Sequence, residues 1–233
     1  MTTEREAPYL AFDTSTSLGS VALGRGGRLI GEVVVGVSVR HSEALLPAID
    51  YILESGGLGP RDLAALVVGG GPGSFTGLRV AGATAKGLLR VLGIPLYSYS
   101  GLLGLAATLG TGVPGRPIAA LFDARRGEVY AGVYTFSPTG VETHLEPTPL
   151  PVEALLAEVG DLDPIYLGDG ALRYAEAIEK VGGQIAPPFL AVPRASGLLW
   201  LAETIPEAGR VEEVAAWEPE YIRDAGAVRK ADR

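Results

Sequence analysis

Ala65-Leu66-Val67-Val68-Gly69-Gly70-Gly71-Pro72-Gly73-Ser74-Phe75-Thr76-Gly77 is the stretch on which the fold turns. Its apolar start, closed by glycine, reads as a buried strand over Ala65–Gly69. Past the glycines a helix runs to about Leu92. It carries Leu78, Ala81, Gly82, Ala85, Leu88, Leu89 and Leu92 on one side and Arg79, Lys86 and Arg90 on another. Strand, glycine turn and helix in succession are the unit of an α/β sheet. The turn invites a phosphate-loop reading, but it lacks the Gly-Lys-Ser/Thr ending. Lys86 falls nine residues beyond Gly77, inside the helix. The glycines instead permit an unusual turn, and Thr76 is the expected helix cap.

Upstream, Tyr9–Ser15, Gly19–Gly24 and Arg28–Gly36 read as a three-strand meander, followed by a helix over His41–Glu54. Downstream, Ile94–Ser98 reads as a strand. The Gly/Pro-rich stretch Thr108–Pro117 reads as a boundary. A second meander follows over Ile118–Asp123, Val129–Phe136 and Val141–Glu146. Then come a helix at Val152–Glu158, a strand at Pro164–Leu167, a helix at Leu172–Val181, an edge strand at Gln184–Phe189 and a helix opening at Ser196. The second half repeats the order of the first in shorter form. That order predicts an α/β protein of the ribonuclease H-like, actin-like (ASKHA) fold, with two lobes, each a mixed sheet with flanking helices. The lobes are expected at 1–107, completed by a helix near 196–215, and at 108–195, with a tail at 218–233.

Composition narrows the function. At 233 residues, 47% hydrophobic and 20% charged, the chain can build a real core. Without cysteine it has no disulfide, thiolate metal site or cysteine nucleophile. Met1 to Pro8 lacks the apolar core of a signal peptide, and no apolar run spans a membrane, so a cytoplasmic protein is expected. Asparagine is absent and glutamine occurs once, at Gln184; a heat-tolerant source and a GC-rich genome both produce that bias. The net charge of -8 disfavours unaided binding to a phosphate backbone, so any nucleic-acid role is shared with a more basic partner. Arg223, Arg229, Lys230 and Arg233 form the nearest thing to a basic segment and read equally as a solvated tail.

Four runs together resemble the bacterial TsaB (YeaZ) family: Phe12-Asp13-Thr14-Ser15, Gly70 to Arg79, Asp123-Ala124-Arg125-Arg126-Gly127-Glu128-Val129-Tyr130, and Glu218-Pro219-Glu220-Tyr221-Ile222-Arg223. The likeness covers nearly the whole chain, and the Gly-Pro-Gly-Ser-Phe-Thr-Gly-Leu-Arg run is its most specific part. It implies a non-catalytic scaffold subunit of the complex that forms threonylcarbamoyladenosine in tRNA beside the anticodon. The implied partners are a TsaD-like catalytic subunit, a TsaE-like ATPase, tRNA within the complex only, and a second copy when the chain is alone. No cofactor is implied. The TsaD relative carries His-x-x-x-His for its metal; the matching positions here are Ser98 and Leu102, which offer no imidazole. His41 and His144, the only histidines, fall in different lobes.

In the wider superfamily the Asp13-Thr14-Ser15 turn faces phosphate. This makes Asp13, Ser15, Gly19 and Ser20, with Asp123, Gly168 and Gly170 of the second lobe, a candidate residual nucleotide site. The first turn reads equally as a Ser/Thr-rich turn that satisfies its own backbone. Arg125 and Arg126 stand where glycine and threonine are usual; they suit an anion, acidic side chains of a partner, or a solvated turn. Asp169 places a carboxylate where a nucleotide would lie. On the His41–Glu54 helix, Glu43, Pro47, Asp50 and Glu54 mark a narrow polar side, and apolar residues fill the rest, more than one buried face needs. Ala83 and Gly87 allow close approach to the second helix. The expected partner interface is therefore Leu45, Leu46, Ala48, Ile49, Ile52 and Leu53 with Leu78, Ala81, Gly82, Ala85 and Leu89. The alternative is a stand-alone ATP-dependent kinase or metallopeptidase of the same fold, which needs a metal site or an intact nucleotide cleft.

Overall fold

The computed structural model describes residues 7–36 and 41–221. The basic residues Arg223, Arg229, Lys230 and Arg233, most of the 218–233 tail, residues 1–6 and the His41 side chain lie outside what is described. Two five-stranded sheets carry the fold. In the first, β1 (Pro8–Asp13), β2 (Leu18–Arg25) and β3 (Arg28–Gly36) form the antiparallel meander, and β4 (Ala65–Gly69) and β5 (Leu96–Tyr99) add in parallel beyond β1. The order is β3-β2-β1-β4-β5. The second sheet repeats it with β6 (Pro117–Arg125), β7 (Glu128–Ser137), β8 (Gly140–Pro151), β9 (Ile165–Leu167) and β10 (Gln184–Ile185), ordered β10-β9-β6-β7-β8. This repeated mixed sheet is the ribonuclease H-like, actin-like fold.

The helices are α1 (His41–Ser55), α2 (Phe75–Leu92), α3 (Gly101–Gly110), α4 (Val152–Val159), α5 (Asp169–Arg173), α6 (Ala175–Lys180), α7 (Ala195–Thr204) and α8 (Pro206–Gly209). Strand alternation sorts the side chains into layers. Leu10, Phe12, Val21, Leu23, Leu66 and Val68 face α1 and α2. Ala11, Ala22, Ala65 and Val67 point the other way, onto α3 and α7. Ile118, Ala120, Phe122, Tyr134 and Phe136 of the second sheet pack mainly on α3 from the far side, α3 packs on α7, and the Phe136 ring meets Trp200 of α7, so one core joins both sheets. A third cluster lies under α4 and α6.

Several expected elements differ. Ser74, not Thr76, caps α2; its Oγ accepts the Gly77 N–H at 3.3 Å. Gly101–Gly110 is a helix, and the sequence pattern assigns no element between the strand at Ile94–Ser98 and the boundary at Thr108–Pro117. The helix expected at Leu172–Val181 is broken into α5 and α6. The edge strand expected to Phe189 stops at Ile185, because Pro187 and Pro188 lack the N–H that pairing requires.

Candidate functional site

The β1–β2 turn faces inward. Asp13, Thr14, Ser15 and Thr16 are all buried. Asp13 is held by its own chain: Oδ1 accepts the Ser15 N–H at 2.7 Å and Oδ2 accepts the Ser15 hydroxyl at 3.2 Å. Thr14 Oγ1 donates to Gly77 O at 2.7 Å, and Ser74 N donates to Ser15 O at 2.6 Å. These bonds tie the turn to the start of α2. The approach is so close that a side chain at Gly69 would collide with the Asp13 carboxylate, one at Gly73 with Ser15, and one at Gly77 with the Thr14 carbonyl. Gly101, at the start of α3, closes over Asp13, Ser15 and the Phe122 ring. The structure thus places Asp13 and Ser15 against their own backbone rather than at an open phosphate turn. Gly19 is half-buried. Ser20 is fully buried, and its hydroxyl oxygen has no partner among the described residues.

The matching β6–β7 turn faces outward. Asp123 Oδ1 accepts the Arg125 N–H at 3.0 Å, while Oδ2 lies 3.7 Å from Arg125 Nε and 3.4 Å from Arg173 Nη1. Asp169 accepts the Asp123 N–H at 3.1 Å. Loss of water around its carboxylate raises the Asp169 pKa; the Asp123 N–H bond opposes this and the Asp123 charge adds to it. Gly168 has φ 107°, and a Cβ there or at Gly170 would run into β6 at Leu121 and Phe122. These glycines let the chain pack closely on β6. Arg125 and Arg126 adopt φ 69° and 57°. Left-handed backbone costs a non-glycine residue about 1–2 kcal/mol.

The helical surface requires a correction. Leu45, Ala48, Ile49, Ile52 and Leu53 are buried against the first sheet and α2, and Leu78, Ala81, Gly82, Ala85 and Leu89 are likewise buried in their own chain. Only Leu46, 50% exposed, is open as expected. Much of the cover over α2 is the chain's own C-terminal segment, which returns across it. Val211, Val214 and Trp217 pack on that core, the Pro219 ring abuts Gly82, Glu218 pairs with Lys86 at 3.3 Å, and Tyr221 meets Phe75 with ring centroids 5.3 Å apart.

What stays open is a groove of about 450 Å³ between α1 and α2, lined by Leu46, Phe75, Thr76, Arg79, Val80, Ala83 and Thr84. Arg79 lies over the Phe75 ring at 4.1 Å. Tyr51, 62% exposed, and Val91, 78% exposed, also present apolar surface on these helices. The expected interface left out Tyr51, although it belongs to the apolar arc of α1, and Phe75 and Val80 of α2. Among the described residues no group of three His, Cys, Asp or Glu side chains is arranged to hold a metal ion.

Residues 35–230 match the family model described as TsaD, tRNA N6-adenosine threonylcarbamoyltransferase. The Bacillus subtilis protein named tRNA threonylcarbamoyladenosine biosynthesis protein TsaB is 33% identical over 95% of this chain and 96% of its own length. The Escherichia coli protein of the same name is 28% identical over 95% of this chain and 96% of its own length. The solved structure of YeaZ from Pseudomonas aeruginosa superposes with a TM-score of 0.80 at 30% identity, over 93% of this chain and all of that one. With the repeated sheet order and the Gly-Pro-Gly-Ser-Phe-Thr-Gly turn in place, the chain belongs to the TsaB (YeaZ) family.

Proposed function

We propose that this chain is a non-catalytic scaffold subunit in the formation of threonylcarbamoyladenosine in tRNA, seating a TsaD-like catalytic subunit on the groove between α1 and α2. The observation that carries the reading is that groove: Leu46, Phe75, Val80 and Ala83 surround an open apolar surface on two helices that are otherwise packed into the core. Large exposed apolar patches on soluble chains mark interaction sites, and Tyr51 and Val91 add exposed apolar surface on the same two helices. The inactive half of the reading is supported by the self-satisfied Asp13 carboxylate, by Gly168 and Gly170 committed to packing, and by Ser98 and Leu102 at the positions where a TsaD-like chain has histidines. A TsaE-like ATPase joins the assembly, tRNA is met only within it, and the same groove pairs two copies when the chain is alone. In this reading the lobes are residues 1–107 with the helices near 196–215, and residues 108–195. No helix among the described residues is long and apolar enough to cross a membrane, which accords with work on tRNA in the cytoplasm.

The test is Leu46→Glu or Ala83→Glu, assayed by co-purification and by titration against the TsaD-like subunit of the same organism. Both positions are exposed, so the melting temperature should hold. Association should weaken by about 2 kcal/mol, roughly 30-fold, as for a central interface residue. Unchanged affinity in both variants removes the groove as the interface. Self-association of the isolated chain should fall in parallel.

A further inference from the structure

We propose that Arg125 and Arg126, at the tip of the β6–β7 hairpin, together with Arg173 form a contact for the phosphate backbone of RNA. The proposal rests on the reading above, in which the assembly acts on tRNA.

The two turns that repeat in the fold have opposite fates. In the first sheet the turn after Asp13 is buried and bonded to α2. In the second the turn after Asp123 is exposed, and its tip is built from two arginines in left-handed backbone, followed by Gly127 at φ 86°. Glycine would take those positions freely, yet long cationic side chains hold them. Backbone placed against its preference points to a demand from function.

The guanidiniums are also arranged. The Asp123 side chain, only 13% exposed, lies between Arg125 and Arg173 and orients both, while those two stay 81% and 53% exposed. Arg126 is exposed. Asp123, Asp169 and Glu128 are the acids of this region. Asp123 and Asp169 are occupied within the turn: Asp123 with the two arginines, Asp169 with the Asp123 N–H. Arg125 and Arg173 share the one Asp123 carboxylate, so their remaining N–H groups, with the exposed Arg126, face water and can take an anion.

Guanidinium forks bind phosphate and carboxylate oxygens alike in pairs, and on a nucleic acid such contacts set position without reading sequence. The hairpin also stands on the second sheet, whereas the docking groove lies on the outer helices of the first, so a partner seated there leaves the arginines open. In a chain of net charge -8, a contact with RNA has to come from a local cluster of this sort.

The test uses the double variant Arg125→Gly, Arg126→Gly, whose glycines accept the positive φ and keep the hairpin. It is compared with Arg125→Lys, Arg126→Lys, which keeps the charge. The assembly that co-purifies with the chain is titrated with an unmodified transcript of its substrate tRNA over a range of KCl. The glycine variant should melt no lower than the parent and assemble normally. It should bind tRNA more weakly, with the slope of log K against log salt reduced by roughly 1 per arginine. The lysine variant should keep that slope. An unchanged slope in the glycine variant means a solvated turn and overturns the proposal. Lost assembly with an unchanged slope means the arginines meet an acidic protein surface, which also overturns it. Because assembly is measured separately, failure of the groove assignment and failure of this contact give different results.

Discussion

Gly77→Ala is expected to lower the melting temperature by about 10 °C, the reverse of what the same change does in an ordinary helix. Inside a helix, alanine is favoured over glycine by about 1 kcal/mol. Here the added methyl would occupy the place of the Thr14 carbonyl oxygen. To relieve the clash, the β1–β2 turn and the start of α2 must separate. That strains two buried hydrogen bonds, Thr14 Oγ1 to Gly77 O at 2.7 Å and Ser74 N to Ser15 O at 2.6 Å. A buried polar group left without its partner costs about 1–3 kcal/mol. Two of them, less the helical gain, give a net loss of about 1–5 kcal/mol, centred near 3, and each kcal/mol moves the melting point by roughly 2–4 °C in a domain of this size. Gly87→Ala is the control. That position is exposed, on the same helix, and a Cβ there meets nothing within 4 Å. It should stabilise the chain by about 1 kcal/mol. Calorimetry on the two variants decides the matter; a neutral Gly77→Ala would mean that the turn yields without resistance.

Ile49→Glu is expected to abolish the native fold. Ile49 is 3% exposed and packs with Leu45, Ile52 and Leu53 under the first sheet. Truncating such a residue to alanine costs about 2–5 kcal/mol. Forcing a carboxylate into the same space adds the desolvation of a polar group, several kcal/mol more. Against a total stability of about 5–15 kcal/mol, most of the population unfolds. Near-UV circular dichroism should collapse, and Leu45→Glu should behave alike. Lost partner binding in either variant would report unfolding rather than docking, which is why Leu46 and Ala83 are the positions that probe the interface.

The contrast between Ile49 and Leu46 shows where reading the sequence reached and where it stopped. Helical spacing located α1 and α2 to within a residue or two and revealed more apolar arc than one buried face needs. Spacing does not say what covers the surplus. Much of the cover is the irregular stretch holding Trp217 and Pro219, which carries no periodicity of its own and packs only because the chain folds back. The inward turn at Asp13 was similarly open to two readings. Gly69, Gly73 and Gly77, four residues apart, were the available signal: each marks a place where another backbone comes too close for a side chain. The helix α3 escaped because Gly101-Leu102-Leu103-Gly104-Leu105-Ala106-Ala107 is apolar all round and lies between two sheets, so it shows no amphipathic stripe. β8 ran on to Pro151 through Pro147 and Pro149, since an edge strand tolerates residues that cannot donate. The repeated succession of strands and helices along the chain, by contrast, was legible from alternation and turn residues.

The helices α3 and α7 pack on each other between the sheets, α7 mainly against the first and α3 mainly against the second, and Leu102, Leu105 and Leu198 lie in the one core that holds side chains of both. Enzymes that enclose a nucleotide between two halves commonly do so by swinging on a hinge. Here such a swing would tear a continuous apolar interior and expose it to water. The two halves are therefore expected to melt together, in one calorimetric transition.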